Sequence, residues 1–303
     1  MKNRITDKRN LSSIKIQGNN AFIGKHFLVL LNNTSEVEPI MEVSTALASK
    51  QSARIFARNF VVLPHLTPLS VGLRFAEAPS ENLKIASNYH TENLPVDWLL
   101  LLTHNPRVAI LNTVRKKKID CVIGGFQGCI DIYKNLRNAL SKIPTDILII
   151  RSLLNKKISE YSRILVPFLK GAHTPLAVDI AGDLANTFGQ KLAILYEYES
   201  QINEGPREQD LKRLKTKQDL LNVERITAER NSIISSISKE LNENTWLVLP
   251  AYRPSRLAGF RLRYKQRSLL KEIIQSSYVP LMIVKKHERR TGFLQKILKR
   301  EWN

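Results

Sequence analysis

Five short apolar segments occur twice in this chain, in the same order and at nearly equal spacing. They lie between residues 27 and 151 in the first half and between residues 164 and 285 in the second. Each segment has the length of a buried strand, and a helical period of apolar residues follows the first segment in both halves. Strands that alternate with helices form parallel sheets covered on both faces. The repetition therefore predicts an α/β unit that has been duplicated.

Runs rich in Val, Ile and Leu mark the predicted strands. These are residues 27–31, 54–63, 96–102, 120–123 and 146–151 in the first half, and 164–168, 192–196, 222–227, 246–249 and 280–285 in the second. The helix after the first strand of each half is indicated by apolar residues that share one face. They are Ile40, Val43, Ala46 and Leu47 in the first half, and Leu176, Ala177, Ile180, Ala181, Leu184, Ala185 and Phe188 in the second.

A chain of this length accommodates two domains of about 150 residues, each with its own core. We predict a polar segment at 1–21, a first domain at 22–151 and a second domain at 163–287. Residues 152–162 form the predicted linker, and residues 288–303 form a basic tail.

The charge balance is the unusual part of the composition. Forty-seven Lys and Arg against 27 Asp and Glu give a net charge of +20, which indicates anionic partners. Nucleic acid, an acidic membrane face and a phosphorylated small molecule all fit this charge. No apolar run has the length of a membrane span, and no apolar stretch follows the basic residues 1–10 as it would in a secretory signal. The two cysteines, Cys121 and Cys129, are expected to be packing residues in a cytoplasmic protein.

Short motifs stand at residues 164–167, 176–181 and 193–195 in the second half and at residues 120–128 in the first. They resemble segments of the universal stress protein domain. Together the halves resemble a tandem universal stress protein, and residues 166–173 are similar to the cytoplasmic universal-stress tails of some transporters. The resemblance implies two Rossmann-like, doubly wound, five-stranded parallel sheets with strand order 3-2-1-4-5. It also implies pairing through the fifth strand, within the chain or in a homodimer.

Members of that family that bind ATP carry an acidic residue after strand 1 and a G-x2-G-x9-G-[ST] loop after strand 4. The first half places Asn32 at the acidic position, retains Gly125 and Gly128, and has Asn138 where the third glycine would be. The resemblance thus implies a degenerate site for ATP or another adenine nucleotide in this half. Alternatively, the two glycines serve a tight turn that needs positive φ, and Asn32 is a turn residue.

The second half departs further from the motif. Leu169 stands at the acidic position, and Ala251 and Pro254 replace the first two glycines. Alanine and proline block the close approach of backbone N–H groups to phosphate, and proline also lacks a donor. The sequence therefore predicts that this half has lost its ATP site.

Two basic segments in the second half are candidates for anion binding. Between residues 251 and 271 there are seven basic residues and no acidic one. The anion-binding candidates are Arg253, Arg256, Arg261, Arg263, Arg267 and Ser268. They either replace the lost phosphate donors or form a solvated loop. In the tail, Phe293, Leu294, Ile297, Leu298 and Trp302 follow helical spacing, which suits an acidic membrane or docking on the chain itself.

No catalytic constellation and no metal-ligand spacing is evident, so we expect a protein that is not an enzyme. The leading interpretation is a universal-stress-type binding or regulatory protein in the cytoplasm. The alternatives are a regulatory partner of a membrane transporter, which would place the chain peripherally on the membrane, and a nucleic-acid-binding protein.

Overall fold

The fold is described from a computed structural model of the 303-residue chain. The structure describes residues 12–15, 25–32, 34–125, 143–152, 156–169, 173–197, 223–228, 233–251, 273–274 and 277–287.

Strands and helices alternate over much of the described part of both halves. In the first half they are β1 (Ser12–Lys15), β2 (His26–Leu30), α1 (Thr34–Lys50), β3 (Arg54–Val62), α2 (Glu77–Ser87), β4 (Val96–Thr103), α3 (Pro106–Lys117), β5 (Cys121–Gly125) and β6 (Asp146–Arg151). In the second half they are β7 (Arg163–Phe168), α4 (Thr174–Phe188), β8 (Lys191–Glu197), β9 (Val223–Ala228), α5 (Ile233–Glu240), β10 (Thr245–Pro250) and β11 (Leu281–Lys285). All ten predicted strands are present, and the predicted α/β class is confirmed.

Local signals explain where α3 begins and where α4 ends. Asn105 precedes α3 in an extended conformation, and its side chain accepts a hydrogen bond from the Val108 N–H, as an N-cap residue does. Pro106 then occupies the first turn, where its missing N–H costs nothing. At the C-terminus of α4, Gly189 adopts the left-handed conformation with φ 67°, which glycine tolerates and which ends the helix.

All eleven strands belong to one sheet, in the order β1-β4-β3-β2-β5-β6-β11-β10-β7-β8-β9. This differs from the predicted pair of separate five-stranded sheets in two respects. The polar segment contributes an extra strand, β1, which pairs antiparallel with β4. The two sets of five parallel strands are also continuous, because β6 pairs antiparallel with β11 from Leu281↔Arg151 to Lys285↔Ile147. Each set, taken without β1, keeps its first strand beside its fourth.

Two apolar layers cover the sheet. One contains buried residues of α1, α2 and α4, including Ile40, Leu83 and Leu184. The other contains buried residues of α3 and α5, including Val114 and Ile237. Because both faces are covered, the parallel strands consist of nearly continuous apolar residues, and this made them recognisable in the sequence.

The predicted linker contains a single turn of 3-10 helix, Ile158–Glu160, fixed from both sides. The Glu42 carboxylate of α1 accepts hydrogen bonds from the N–H groups of Ile158 at 2.8 Å and Ser159 at 3.0 Å. The Gln190 side chain, just after α4, donates to the Ile158 carbonyl at 2.7 Å. The linker is therefore bonded to residues of both halves.

Candidate functional site

The order of the strands reverses between β2 and β5 in the first half and between β7 and β10 in the second. Ligands of doubly wound sheets bind beyond the carboxyl ends of the strands at such a reversal. The two candidate sites are therefore the segments that follow these four strands.

In the first half, the structure places two of the predicted site residues at this edge. Asn32 follows β2 and is exposed, and Gly125 is the last residue of β5. β2 and β5 are paired parallel up to Leu30↔Gly124, so both residues lie at the same end of adjacent strands. Gly128 and Asn138 lie outside the described residues.

The structure gives a steric reason for glycine at position 125. A Cβ atom there would lie 2.7 Å from Cδ1 of Ile40 and would also collide with the carboxyl group of Glu36, both in α1. Among the described glycines only Gly189 has positive φ, so the turn interpretation that requires positive φ is wrong for Gly125. The atoms that a Cβ would meet are the ends of the Glu36 and Ile40 side chains, so a larger residue at position 125 would require these two side chains to move.

Glu36 is the site residue that the sequence interpretation missed. It lies in the first turn of α1, is only 5% exposed, and its Oε1 atom has no hydrogen-bond partner. Burial raises the pKa of this carboxyl to about 7. The available signal was its position four residues before Ile40, since residues four apart on a helix share a face. An acidic residue on the apolar face of a helix is unusual, and this position indicates Glu36 as a candidate site residue.

This carboxyl changes the electrostatics of the cleft. The N-terminus of a helix carries a partial positive charge and ordinarily attracts anions such as phosphate. Here the first turn of α1 supplies its own acid, and that acid packs against the strand end where the phosphate loop would begin. An ionised Glu36 would repel a phosphate group in this position, and a protonated one would donate a hydrogen bond.

In the second half, the backbone at the corresponding edge is already occupied. Leu169 follows β7 and is buried, and its carbonyl accepts a hydrogen bond from the Thr174 hydroxyl. Ala251 follows β10, and its N–H donates to the Val284 carbonyl at 2.7 Å. A donor used within the sheet cannot also bind phosphate. Pro254 and the anion-binding candidates Arg253, Arg256, Arg261, Arg263, Arg267 and Ser268 lie outside the described residues.

Comparisons with known proteins agree with this architecture. No protein-family model matches the sequence, and no curated protein does. Among solved structures, a universal stress protein from Archaeoglobus fulgidus DSM 4304 aligns with a TM-score of 0.55 at 14% identity, over 86% of this chain and 97% of that one. The fold is that of a universal stress protein.

Two further structures share the fold. The cytoplasmic domain of a prokaryotic cation chloride cotransporter aligns with a TM-score of 0.56 at 12% identity, over 86% of this chain and 95% of that one. A protein of unknown function from Pseudomonas aeruginosa PAO1 aligns with a TM-score of 0.52 at 10% identity, over 91% of this chain and 98% of that one.

A second charged cluster lies in the first half of this universal-stress fold, near the amino-terminal end of β3 and away from the carboxyl ends of the strands. The cationic groups of Arg54, Arg58 and Lys117 lie 5.3, 5.4 and 5.3 Å from the ring centroid of Phe56. The Arg58 side chain is 3% exposed and pairs with Oδ1 of Asp97 at 3.3 Å. Burial lowers the pKa of Arg58, and the Asp97 charge opposes that shift. The Arg58–Asp97 ion pair links β3 to β4.

The described residues contain little else that is chemically reactive. None of their His, Cys, Asp and Glu side chains come together in a group of three that could hold a metal ion. Cys121 is a buried free thiol whose pKa is raised chiefly by burial, so it is a poor nucleophile. No helix in the described part of the chain combines the length and apolar character needed to cross a bilayer.

Proposed function

We propose that this chain is a non-catalytic, universal-stress-type binding and regulatory protein whose nucleotide site is degenerate. The Glu36 carboxyl carries the proposal, because it is buried against Gly125, where a phosphate loop would begin, and its Oε1 atom has no hydrogen-bond partner among the described residues. The first half retains the better site, since it keeps a polar Asn32 and a glycine at the strand end. In the second half, the Ala251 N–H is already bonded within the sheet.

The proposed organisation is two universal stress protein domains in tandem within one cytoplasmic chain. Two observations support it. The five parallel strands of each half have the same relative order, and the structural likenesses extend over 86% or more of the chain. The pairing of β6 with β11 supplies a fifth-strand contact inside the chain.

Nucleotide titration of the full chain tests the degenerate site. We expect purified protein to carry no nucleotide in native mass spectrometry, to bind ATP weakly in calorimetry, and to show no ATP turnover. Glu36→Gln removes the negative charge at nearly constant shape, so it should strengthen binding of ATP at neutral pH. Glu38→Gln is the matched control, because Glu38 is exposed on the same helix.

The proposal fails if the wild-type chain retains ATP through purification, or if it turns ATP over at a rate that Glu36→Gln alters. Stronger ATP binding by Glu38→Gln to the same extent as by Glu36→Gln would show a general charge effect rather than a role of the cleft.

A second candidate function is regulation of a membrane transporter. The likeness to the cytoplasmic domain of a cation chloride cotransporter favours it, since 95% of that domain aligns with this chain. The net charge of +20 also suits work beside an acidic membrane face. Cross-linking in native membranes, followed by identification of the captured membrane protein, tests it; capture of no transporter contradicts it.

A further inference from the structure

Most of the exposed large apolar side chains on the described surface belong to segments that follow β3 and β4. Five large apolar residues of the described chain are exposed; of these, Val62 ends β3, Leu66 lies in the loop after it, Phe75 ends the 3-10 helix Leu69–Phe75, and Val108 lies in the first turn of α3. We call these four the apolar rim: Val62 (54% exposed), Leu66 (98%), Phe75 (60%) and Val108 (48%). An exposed apolar patch of this kind marks an interaction surface more often than single scattered residues do.

Contacts join the segments that carry the apolar rim. The Leu63 N–H donates to the Thr103 carbonyl at 3.0 Å, which ties the end of β3 to the end of β4. The ring of His65 stacks on that of His104, with 6.0 Å between their centroids. Gly72 packs so closely on Leu63 that a Cβ there would lie 2.8 Å from the leucine Cδ1. The loop after β3 and the start of α3 therefore form one surface.

The most exposed member of the rim stands on a constrained loop. Leu66 lies between Pro64 and Pro68, and the N–H of Thr67 donates to the Pro64 carbonyl at 3.0 Å. Prolines restrict the backbone before any contact is made, so less conformational entropy is lost when the loop binds. A leucine displayed on a stiff turn is well suited to inserting into an apolar phase.

The charges around the rim indicate which partner it binds. Arg74 is exposed and Arg107 is half-buried, residues 62–76 and 103–119 contain no Asp or Glu, and the exposed acid Glu77 follows Phe75 by two residues. A second copy of a chain with net charge +20 would be repelled by such a surface. An apolar surface with basic neighbours instead matches the interface of an anionic bilayer, which accepts leucine and phenylalanine between its headgroups and attracts arginine.

We propose that the apolar rim docks this chain on an acidic lipid bilayer, with Leu66 and Phe75 inserted at the headgroup boundary. The strands β2, β3, β4 and β5 are parallel and end at the same edge of the sheet, so docking would turn the Glu36 cleft towards the membrane. The proposal rests on the rim and does not require a nucleotide or a transporter.

Vesicle flotation of the full chain tests this proposal. Phosphatidylcholine vesicles with and without phosphatidylserine are mixed with the wild type, with the double variant Leu66→Ser/Phe75→Ser, and with the control Tyr278→Ser. Tyr278 is the fifth exposed apolar residue and belongs to the second half. Thermal melts of all three proteins verify that they fold.

The wild type should bind the acidic vesicles, and the double variant should bind about tenfold more weakly, because burial of two apolar side chains is lost. The loss should persist at high salt, which screens charge but not apolar insertion. Leu66→Trp should bind at least as well as the wild type, since tryptophan favours the membrane interface.

Three results would overturn the proposal: no binding of the wild type to acidic vesicles, equal binding by the double variant, or an equal loss in Tyr278→Ser. A wild type that self-associates in light scattering, together with a monomeric double variant, would assign the rim to a second copy of the chain instead.

Discussion

The guanidinium group of Arg151, in the last strand of the first half, donates a hydrogen bond of 2.8 Å to the carbonyl of Ile274 in the second half. The same side chain donates to the carbonyls of Ser277 at 2.7 Å and Val279 at 3.2 Å. Arg151 thereby joins β6 to the segment that leads into β11, the strand with which β6 pairs. One arginine thus satisfies three carbonyls at the junction between the halves.

Arg151→Met should lower the free energy of unfolding by about 2–3 kcal/mol, because it removes the donors from partly buried carbonyls while it keeps most of the apolar stem. The free energy of unfolding of Arg151→Lys should lie between those of the wild type and Arg151→Met, since a single ammonium group cannot reproduce the planar donors of a guanidinium. Urea unfolding followed by circular dichroism measures both. Arg115→Met, at an exposed arginine of α3, is the control; equal losses in the two methionine variants would contradict this account.

The linker contact gives a second prediction. Glu42→Ala should destabilise the chain by about 1–2 kcal/mol, because the N–H groups of Ile158 and Ser159 lose the carboxylate that caps their turn. Glu42→Gln should lose about half as much, since one carbonyl oxygen remains as an acceptor. Glu38→Ala, at an exposed residue one turn earlier in the same helix, should change stability little. Thermal melts of the three variants test the ranking, and a Glu38→Ala loss as large as that of Glu42→Ala would refute it.

The sequence was sufficient for the class of fold, because parallel strands buried on both faces are continuous apolar runs. It was insufficient for β1, since Ser12–Lys15 is mostly polar and pairs with β4, far away along the chain. Nor does periodicity reveal which edges of two sheets meet. The continuous sheet depends on register between β6 and β11, and Arg151 contributes to that junction through carbonyls more than 120 residues away.

The candidate site was predictable only in part. The strand order of the resembled family places Asn32 and Gly125 at adjacent strand ends, and the structure places them there. The close packing at Gly125 was not predictable, because it depends on how closely the Glu36 and Ile40 side chains of α1 approach the end of β5. Glu36 shares a helix face with Ile40, but its place in the first turn is also that of an ordinary capping acid, so the sequence alone does not show that tertiary packing buries it.

The buried ion pair gives a third prediction. Asp97→Asn should destabilise the chain by about 3 kcal/mol or more, because Arg58 would keep its charge in an apolar layer without a carboxylate. The double variant Asp97→Asn/Arg58→Met should recover much of that loss, since a buried pair can be replaced by apolar packing at little cost. A double-mutant cycle in urea measures the coupling between the two sites. Additive losses would show that the pair at 3.3 Å contributes no specific stabilisation.

The pH dependence of stability gives the fourth prediction, and it concerns Glu36. Its pKa in the folded chain is raised to about 7 from the ordinary 4.5, so the folded state binds the proton more tightly than the unfolded state does. Below about pH 4.5 the carboxyl is protonated in both states and adds no pH dependence. As pH rises from there through about 7, the unfolded state releases the proton first, and the fold loses stability.

Above about pH 7 the buried carboxylate therefore destabilises the wild type by at most about 3 kcal/mol relative to its protonated form. Glu36→Gln is neutral at every pH, so its free energy of unfolding should exceed that of the wild type at about pH 8 by much of this amount, with the difference shrinking towards about pH 5. Glu38→Gln should follow the wild type at both values. Urea unfolding of the three proteins at the two pH values measures the difference. A Glu36→Gln difference that stays constant with pH would mean that Glu36 titrates near its ordinary pKa, and the cleft would then hold an ordinary solvated carboxylate instead of a buried one.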